Sequence, residues 1–234
     1  MTNHERRGMA IIHKTTLTPT KLELLTDWLP AQPWYADRGR APELAKAGGF
    51  RLDDPEGDVG IEFMVVTDGS DDSAVAYLVP LTYRASALEG ADGGLVGTTE
   101  HGVLGRRWVY DGVRDPVLVA QLAALVRGQA QAQMQGVSDT ADPTVTCVPV
   151  AGGEAVTAEA AIAGDGPLGA ELRVGTVGGD GLPDGQLVIT VNRVLRPDGD
   201  GLVGEADPGR LSCGWRLADG TLVRGSLATA AVRT

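Results

Sequence analysis

The sequence predicts an α+β protein in which an antiparallel sheet with packed helices is followed by a β-rich C-terminal region. Two segments, residues 18–29 and 116–134, carry apolar side chains at the spacing of an amphipathic helix. Between them, short apolar runs alternate with turns rich in Gly and Asp, as in strands joined by tight reversals. After residue 142 no helical period remains. We therefore place an α+β domain at residues 1–140 and an all-β region at residues 141–234.

The first elements are predicted to be a short strand and a helix. Residues 9–13 have the composition of a strand. Thr18-Pro19 begins the helix, because threonine caps free N–H groups and proline suits the first helical position. Pro30 and Pro33 end it. The face that it buries is predicted to contain Leu22, Leu25, Trp28 and Leu29.

An antiparallel meander is predicted after an irregular loop at residues 34–40. Residues 61–67 alternate apolar with other side chains, as a half-buried strand requires. The turn at residues 67–72 has the Asp and Gly chemistry of a tight reversal. The predicted strands of this part are residues 50–52, 61–67, 74–84, 95–100 and 107–110.

The second helix begins at Asp115-Pro116 and is predicted to continue to about Met134, with an apolar stripe that includes Val119 and Leu122. The tail after Asp142 is then a series of short strands, and Asp219-Gly220 indicates a hairpin between the last two. The predicted strands of the tail are residues 145–150, 156–162, 170–177, 187–195, 210–217 and 221–228.

Composition excludes several classes of function. The formal net charge is −11 and there is no basic run, which argues against binding of a nucleic-acid backbone. No window approaches the roughly 18 apolar residues of a membrane span, so we expect no membrane association. Cys147 and Cys213 form no paired motif and are expected to be buried thiols. These features predict a cytoplasmic protein.

Three segments carry a resemblance to a known family. They are DWLPAQPWYADRGR at residues 27–40, AYLVPLTYR at residues 76–84 and HGVLGRRWVYDGVRDP at residues 101–116. In this order they resemble the N-terminal cap domain of bacterial maltokinases. The resemblance implies a cystatin-like antiparallel sheet with helices on one side, placed before a kinase core. That family makes maltose 1-phosphate with ATP and magnesium, in a route from trehalose to α-glucan.

The residues for kinase chemistry are not found. Phosphoryl transfer needs an anchoring lysine and metal ligands, yet the chain has no lysine after Lys46, and none of its three histidines opens an H-x-D loop. Residues 186–193 resemble the family's nucleotide-lysine strand, but Thr190 occupies the lysine position. Residues 164–169 match G-x-G-x-x-G, which is either a simple glycine-rich hairpin or a decayed remnant. We therefore predict no enzyme activity, no cofactor and no metal, and interpret residues 141–234 as a candidate remnant of the kinase intermediate subdomain.

An aromatic and arginine set remains as the candidate binding surface. Arginine offers a flat donor fork, and Trp or Tyr gives a rigid apolar face with a polar edge. Such a set fits a partner protein or a sugar. The alternative is structural, with Trp28 and Trp108 in the core and with internal salt bridges of Arg38, Arg40 and Asp111 locking the 34–40 loop onto the sheet. The candidate residues are Trp34, Tyr35, Arg38, Arg40, Tyr83, Arg84, Arg107, Trp108, Tyr110 and Asp111.

The leading functional hypothesis is a non-catalytic accessory or regulatory protein linked to α-glucan and trehalose metabolism. It predicts a protein partner, such as an enzyme of that metabolism. The alternative hypothesis is a small-molecule or oligosaccharide-binding module that uses the surface of Trp34, Tyr35 and Trp108. That alternative predicts an open cleft between the 34–40 loop and residues 106–110.

Overall fold

The elements of the fold come from a computed structural model that describes residues 16–70, 73–150, 155–167, 169–177, 183–198 and 208–233. The strand predicted at residues 9–13 lies outside the described residues. The helices are α1 (Lys21–Trp28) and α2 (Pro116–Val126). The strands are β1 (Leu17–Thr18), β2 (Leu44–Leu52), β3 (Gly60–Asp68), β4 (Val75–Arg84), β5 (Leu95–His101), β6 (Gly105–Asp111), β7 (Gln133–Met134), β8 (Thr146–Cys147), β9 (Ala155–Asp165), β10 (Gly169–Val177), β11 (Pro183–Asn192), β12 (Val194–Leu195), β13 (Arg210–Arg216) and β14 (Leu222–Arg233).

The strands form one antiparallel sheet. Its hydrogen-bonded order is β1-β5-β6-β4-β3-β2-β13-β14-β11-β10-β9, with β12 added to β4, β7 to β2 and β8 to β13. The antiparallel sheet with two short helices confirms the coarse fold class. The division into residues 1–140 and 141–234 stays a prediction, although the sheet is continuous across it through the pairing of Trp215 with Gly48.

Helix α1 begins two residues later than the sequence predicted. Its N-cap is Thr20 rather than Thr18, and Glu23 completes a capping box. The Glu23 carboxylate accepts from the Thr20 backbone N–H at 2.7 Å, and the Glu23 N–H donates to the Thr20 hydroxyl at 3.3 Å. Two free N–H groups are satisfied in this way. Pro19 therefore precedes the cap instead of opening the helix.

Strand β3 is buried on both faces, which corrects the half-buried strand predicted for residues 61–67. Phe63 and Val65 belong to the apolar core around α2, whereas Met64 and Val66 belong to the core around α1. Because successive side chains of a strand point to opposite faces, the two helices cover opposite faces of the sheet. The arrangement with both helices on one side, implied by the resemblance, is therefore wrong for α1 and α2.

Helix α2 is capped by Asp115, whose side chain accepts from the Val117 N–H at 2.9 Å. It ends at Val126, well before the predicted end near Met134. The chain turns at Gly128, whose φ of 72° is a left-handed conformation that glycine adopts without strain. Residues Gln133–Met134 then pair with β2 as β7. The apolar spacing beyond residue 126 thus belongs to a turn and a short strand.

The larger apolar core surrounds α2. Leu118, Leu122 and Val126 are fully buried, and they share this core with side chains from β2, β3 and β4. Inner side chains of β10, β11, β13 and β14 belong to the same core, and β9 also contacts the helix. The helix is therefore packed against strands from two parts of one sheet, the central β2, β3 and β4 and the C-terminal strands, which explains why its sequence is mostly apolar.

The strands predicted in the tail are present in the described residues. The segments predicted at residues 156–162, 170–177 and 210–217 correspond to β9, β10 and β13. Three predictions were inaccurate: β8 has two residues, β14 continues to Arg233, and the strand predicted at residues 187–195 is divided between β11 and β12. Among the described residues, no helix is long and apolar enough to span a membrane.

The enclosed helix generates a stability prediction. Replacing the fully buried Leu122 with Ala removes apolar contacts and leaves a cavity that the surrounding strands cannot fill. We therefore expect a loss of about 2–5 kcal/mol in the free energy of unfolding. The control is Ala120→Ser, at an exposed position of the same helix, with an expected change within about 0.5 kcal/mol. Urea denaturation measures both. Equal effects of the two substitutions would contradict the enclosed position of α2.

Candidate functional site

The loop that contains Trp34 and Tyr35 is held by one buried carboxylate. Asp68, the last residue of β3, is fully buried. Its two oxygens accept from the Tyr35 hydroxyl at 2.9 Å and from the Glu43 backbone N–H at 2.8 Å. The guanidinium of Arg40 lies 3.5 Å from the same carboxylate. The loop is thus fixed to the end of β3 at three points.

Arg38 and Trp34 fasten the same loop to the sheet. Arg38 donates to the Asp68 carbonyl at 3.1 Å and also to the Ser73 hydroxyl. The Trp34 ring is only 2% exposed and packs at 5.8 Å from the rings of both Trp28 and Tyr77. Internal locking, one of the two alternatives from the sequence, therefore describes the loop. The carboxylate that locks it is Asp68, not Asp111.

Asp111 instead binds a residue from the C-terminal region. Arg193, between β11 and β12, is fully buried and donates to the Asp111 carboxylate at 2.5 Å. Its guanidinium also lies 5.0 Å from the centre of the Trp34 ring, a cation–π distance. The Arg193 carbonyl accepts from the Leu78 N–H of β4 at 2.9 Å. The C-terminal region is therefore joined to β4, to β6 and to the 34–40 loop by both side-chain and backbone contacts.

A second buried carboxylate, Glu62 on β3, collects three donors. Tyr83 and Gln135 donate to it at 2.7 and 2.9 Å, and Lys21 of α1 forms an ion pair with it. Burial raises the pKa of Glu62, but the Lys21 ammonium and the hydrogen bonds outweigh it, so the net shift is downward. The pKa of Tyr83 is raised well above its usual value by burial and by the Glu62 charge.

Three further members of the candidate set, Arg84, Trp108 and Tyr110, lie on the face of the sheet opposite to Glu62. Arg84 makes a bidentate pair with Asp115, with both nitrogen–oxygen distances at 2.6 Å. This pair also positions the carboxylate that caps α2. Tyr110 is buried, and its hydroxyl accepts from the Leu88 N–H at 2.8 Å. These contacts connect β4, β6 and the start of α2.

Trp108 is separated from Trp34 by the sheet. It is half-buried and lies directly opposite Arg84 in the pairing of β4 with β6. Its neighbour Val109 belongs to the core around α1 that contains Trp34, so the alternation of the strand directs Trp108 to the other face. Arg107 donates to the Leu104 carbonyl at 3.0 Å. The predicted cleft that joins Trp34 to Trp108 is therefore not formed.

The ten candidate residues thus occupy several separate contacts rather than one surface, and a binding role for them stays a prediction. Sequence reasoning missed Glu62, Asp68 and Arg193. Residues 61–67 were predicted to be half-buried, so Glu62 was expected on the outer face. A signal for Asp68 was available, since an acidic residue ended a strand near a loop with Arg38 and Arg40.

The described residues give little support to a ligand pocket. Within them, no group of three His, Cys, Asp or Glu side chains is placed to hold a metal. A cavity of about 280 Å³ is lined mainly by residues 125–147 and contains no member of the candidate set. Burial raises the pKa of the Cys147 thiol at its edge, which disfavours the reactive thiolate. Thr190, at the expected lysine position, is exposed on β11.

The buried ion pair leads to a prediction on stability. Arg193→Met leaves the Asp111 carboxylate buried without its cation, so we expect a loss of about 3–5 kcal/mol in the free energy of unfolding. The matched control is Arg106→Met, which breaks an exposed arginine–glutamate pair and should cost less than about 1 kcal/mol. Urea denaturation of both variants measures the two losses in the free energy of unfolding. A small effect of Arg193→Met would show that Asp111 does not depend on this partner.

Tyr35 generates a prediction on alkaline pH. Burial and the hydrogen bond to Asp68 raise its pKa to about 12. Since this value exceeds the value of about 10 for an unfolded chain, its contribution to stability is complete below pH 10 and is lost between pH 10 and 12. Asp68→Asn should bring the Tyr35 pKa down towards 10. Phenolate absorbance, taken as the difference from Tyr35→Phe, measures the shift; an unchanged pKa would exclude Asp68 as a cause.

Comparison with known proteins gives one match. Residues 28–115 match the family described as the maltokinase N-terminal cap domain. No curated protein matches the chain. The matched range runs from Trp28 through β2–β6 to Asp115, and it contains nearly all of the three segments that carried the resemblance. Residues 28–115 of this chain are therefore similar to the maltokinase N-terminal cap domain.

Proposed function

We propose that this protein is a non-catalytic accessory or regulatory component of α-glucan and trehalose metabolism that acts by binding another protein. The observation that carries the proposal is the cap-domain match at residues 28–115. It links the chain to maltokinase-related biology. The proposal places the protein in the cytoplasm, and it gives the antiparallel sheet of the cap, though not the placement of α1 and α2, a cystatin-like character.

The use of charged side chains within the cap supports a scaffold role. Asp68 holds the 34–43 loop, Asp115 is paired with Arg84, and Asp111 is paired with Arg193. Each of these carboxylates is occupied by donors from its own chain. Such internal pairs favour a stiff body that presents its outer surface to a partner, rather than a cleft whose groups await a substrate.

The C-terminal strands support the part of the proposal that excludes phosphoryl transfer. β9 and β10 form an antiparallel pair around the glycine-rich segment 164–169, and β11 follows with exposed Thr190 in place of the expected lysine. A kinase needs a cation to neutralise the transferred phosphate, and a threonine supplies none. We interpret residues 141–234 as a remnant of the kinase intermediate subdomain that now completes the sheet.

Affinity capture tests the partner. The tagged full chain, used as bait in native lysate, should retain an enzyme of α-glucan or trehalose metabolism, identified by mass spectrometry and then reconstituted from purified components. The control bait is an unrelated protein of similar size and net charge, which accounts for nonspecific electrostatic binding. Recovery of no such enzyme, or equal recovery on the control, would overturn the proposal.

Two assays on the purified chain test the rest of the proposal. Incubation with ATP, magnesium and maltose should give no phosphate transfer, because no lysine follows Lys46. Calorimetric titration with maltodextrin should give no heat, because Trp34 is buried and Trp108 lies on the other face of the sheet. Phosphate transfer would contradict the non-catalytic role. Saturable heat would favour the oligosaccharide-binding alternative.

A further inference from the structure

The tip of the β5–β6 hairpin carries two adjacent aliphatic side chains in solvent. Val103 is 61% exposed and Leu104 is 45% exposed. Single exposed apolar residues are common on protein surfaces, but two neighbours at the end of a projecting hairpin form a small apolar patch. Neither side chain belongs to an apolar core of the described residues, so neither stabilises the fold by being buried.

The backbone of this tip is held in one conformation. The N–H groups of Val103 and Leu104 both donate to Nδ1 of His101, at 3.3 and 3.0 Å. Arg107 donates to the Leu104 carbonyl at 3.0 Å, and Gly105 turns the chain with a φ of 70°. A loop ordered in advance loses less conformational entropy when it binds. The hairpin therefore presents its apolar pair in a form suited to recognition.

Basic side chains flank the apolar pair. Arg106 is highly exposed, and its ion pair with Glu100 lies in solvent, where such pairs contribute little and exchange readily. Arg107 follows on the same strand, where it is engaged by the Leu104 carbonyl. In a chain with a net charge of −11, an exposed arginine next to an apolar tip favours an acidic complement.

We propose that the β5–β6 hairpin tip is the docking element for the partner protein. Val103 and Leu104 enter an apolar pocket of that protein, and carboxylates on the rim of the pocket pair with Arg106. This inference rests on the proposed function, since it assumes a protein partner, and it adds the surface and the chemistry of the interface. Aliphatic anchors surrounded by polar rim contacts are a common form of interface.

Site-specific photo-crosslinking tests the surface. In one variant of the full chain, expressed in the native cell, a photoreactive amino acid replaces Leu104. In a second variant of the same chain, the photoreactive amino acid replaces Leu222. Leu222 is a matched control because it is 59% exposed at the start of β14, on a different hairpin. We expect a discrete adduct from position 104 and none above background from position 222, because a photoreactive side chain couples only to groups in direct contact with it. The attached peptide should line an apolar pocket with Asp or Glu at its rim.

Substitutions at the tip give an independent readout. The double variant Val103→Ser and Leu104→Ser should retain the reconstituted partner at least about tenfold less well, whereas Leu222→Ser should bind normally. Arg106→Met should weaken binding and make it less sensitive to added salt, because it removes a screened attraction. Thermal melting by circular dichroism should be unchanged in all three, since the altered side chains are exposed.

The possible outcomes distinguish failure of the docking surface from failure of the proposed function. If a glucan-pathway enzyme is captured but the double serine variant binds it normally, the docking surface is wrong and the proposed function stands. If position 104 gives the specific adduct with an enzyme of unrelated metabolism, the surface stands and the pathway assignment fails. Equal adducts from both positions, or none from position 104, overturn the surface.

Discussion

The enclosure of α2 is the constraint on which the rest of the structure depends. The segment PVLVAQLAALV has almost no polar side chain, so exposure of any face to water would be unfavourable. One sheet supplies both walls, with β2, β3 and β4 from the matched cap and β10, β11, β13 and β14 from the C-terminal strands. The capping carboxylate of Asp115 and its bidentate pair with Arg84 then determine where the helix begins.

Buried carboxylates connect elements that the apolar core alone would leave unspecified. Hydrophobic contacts are non-directional, whereas a buried carboxylate is stable only where donors meet it in the right geometry. Asp68 determines the path of the 34–43 loop, Glu62 joins α1 to β3 and β4, and Asp111 receives Arg193. Buried polar networks of this kind favour one arrangement over others with similar apolar burial.

The same network explains why the aromatic and arginine signature is a poor guide to a ligand site in this chain. Tyr35, Arg38 and Arg84 have the chemistry of a binding surface, and each is engaged by an acceptor of its own chain. The β5–β6 hairpin differs, since its apolar pair points into solvent on a stabilised backbone. Recognition chemistry in this protein is therefore better sought at its projecting hairpins than among its aromatic and arginine side chains.

The amino-acid sequence by itself determined what depends on neighbouring residues, namely the two helices, most strands and the Asp115 cap, because periodicity, caps and turns are local properties. It also carried the resemblance of residues 28–115 to the maltokinase N-terminal cap domain. Only the tertiary structure decided which faces of β3 are buried, where α2 ends, and which partners Asp68, Glu62 and Asp111 take. Asp111 and Arg193 are 82 positions apart, and no local pattern encodes such a pairing. It arises when β12 joins β4 and brings the arginine over Trp34.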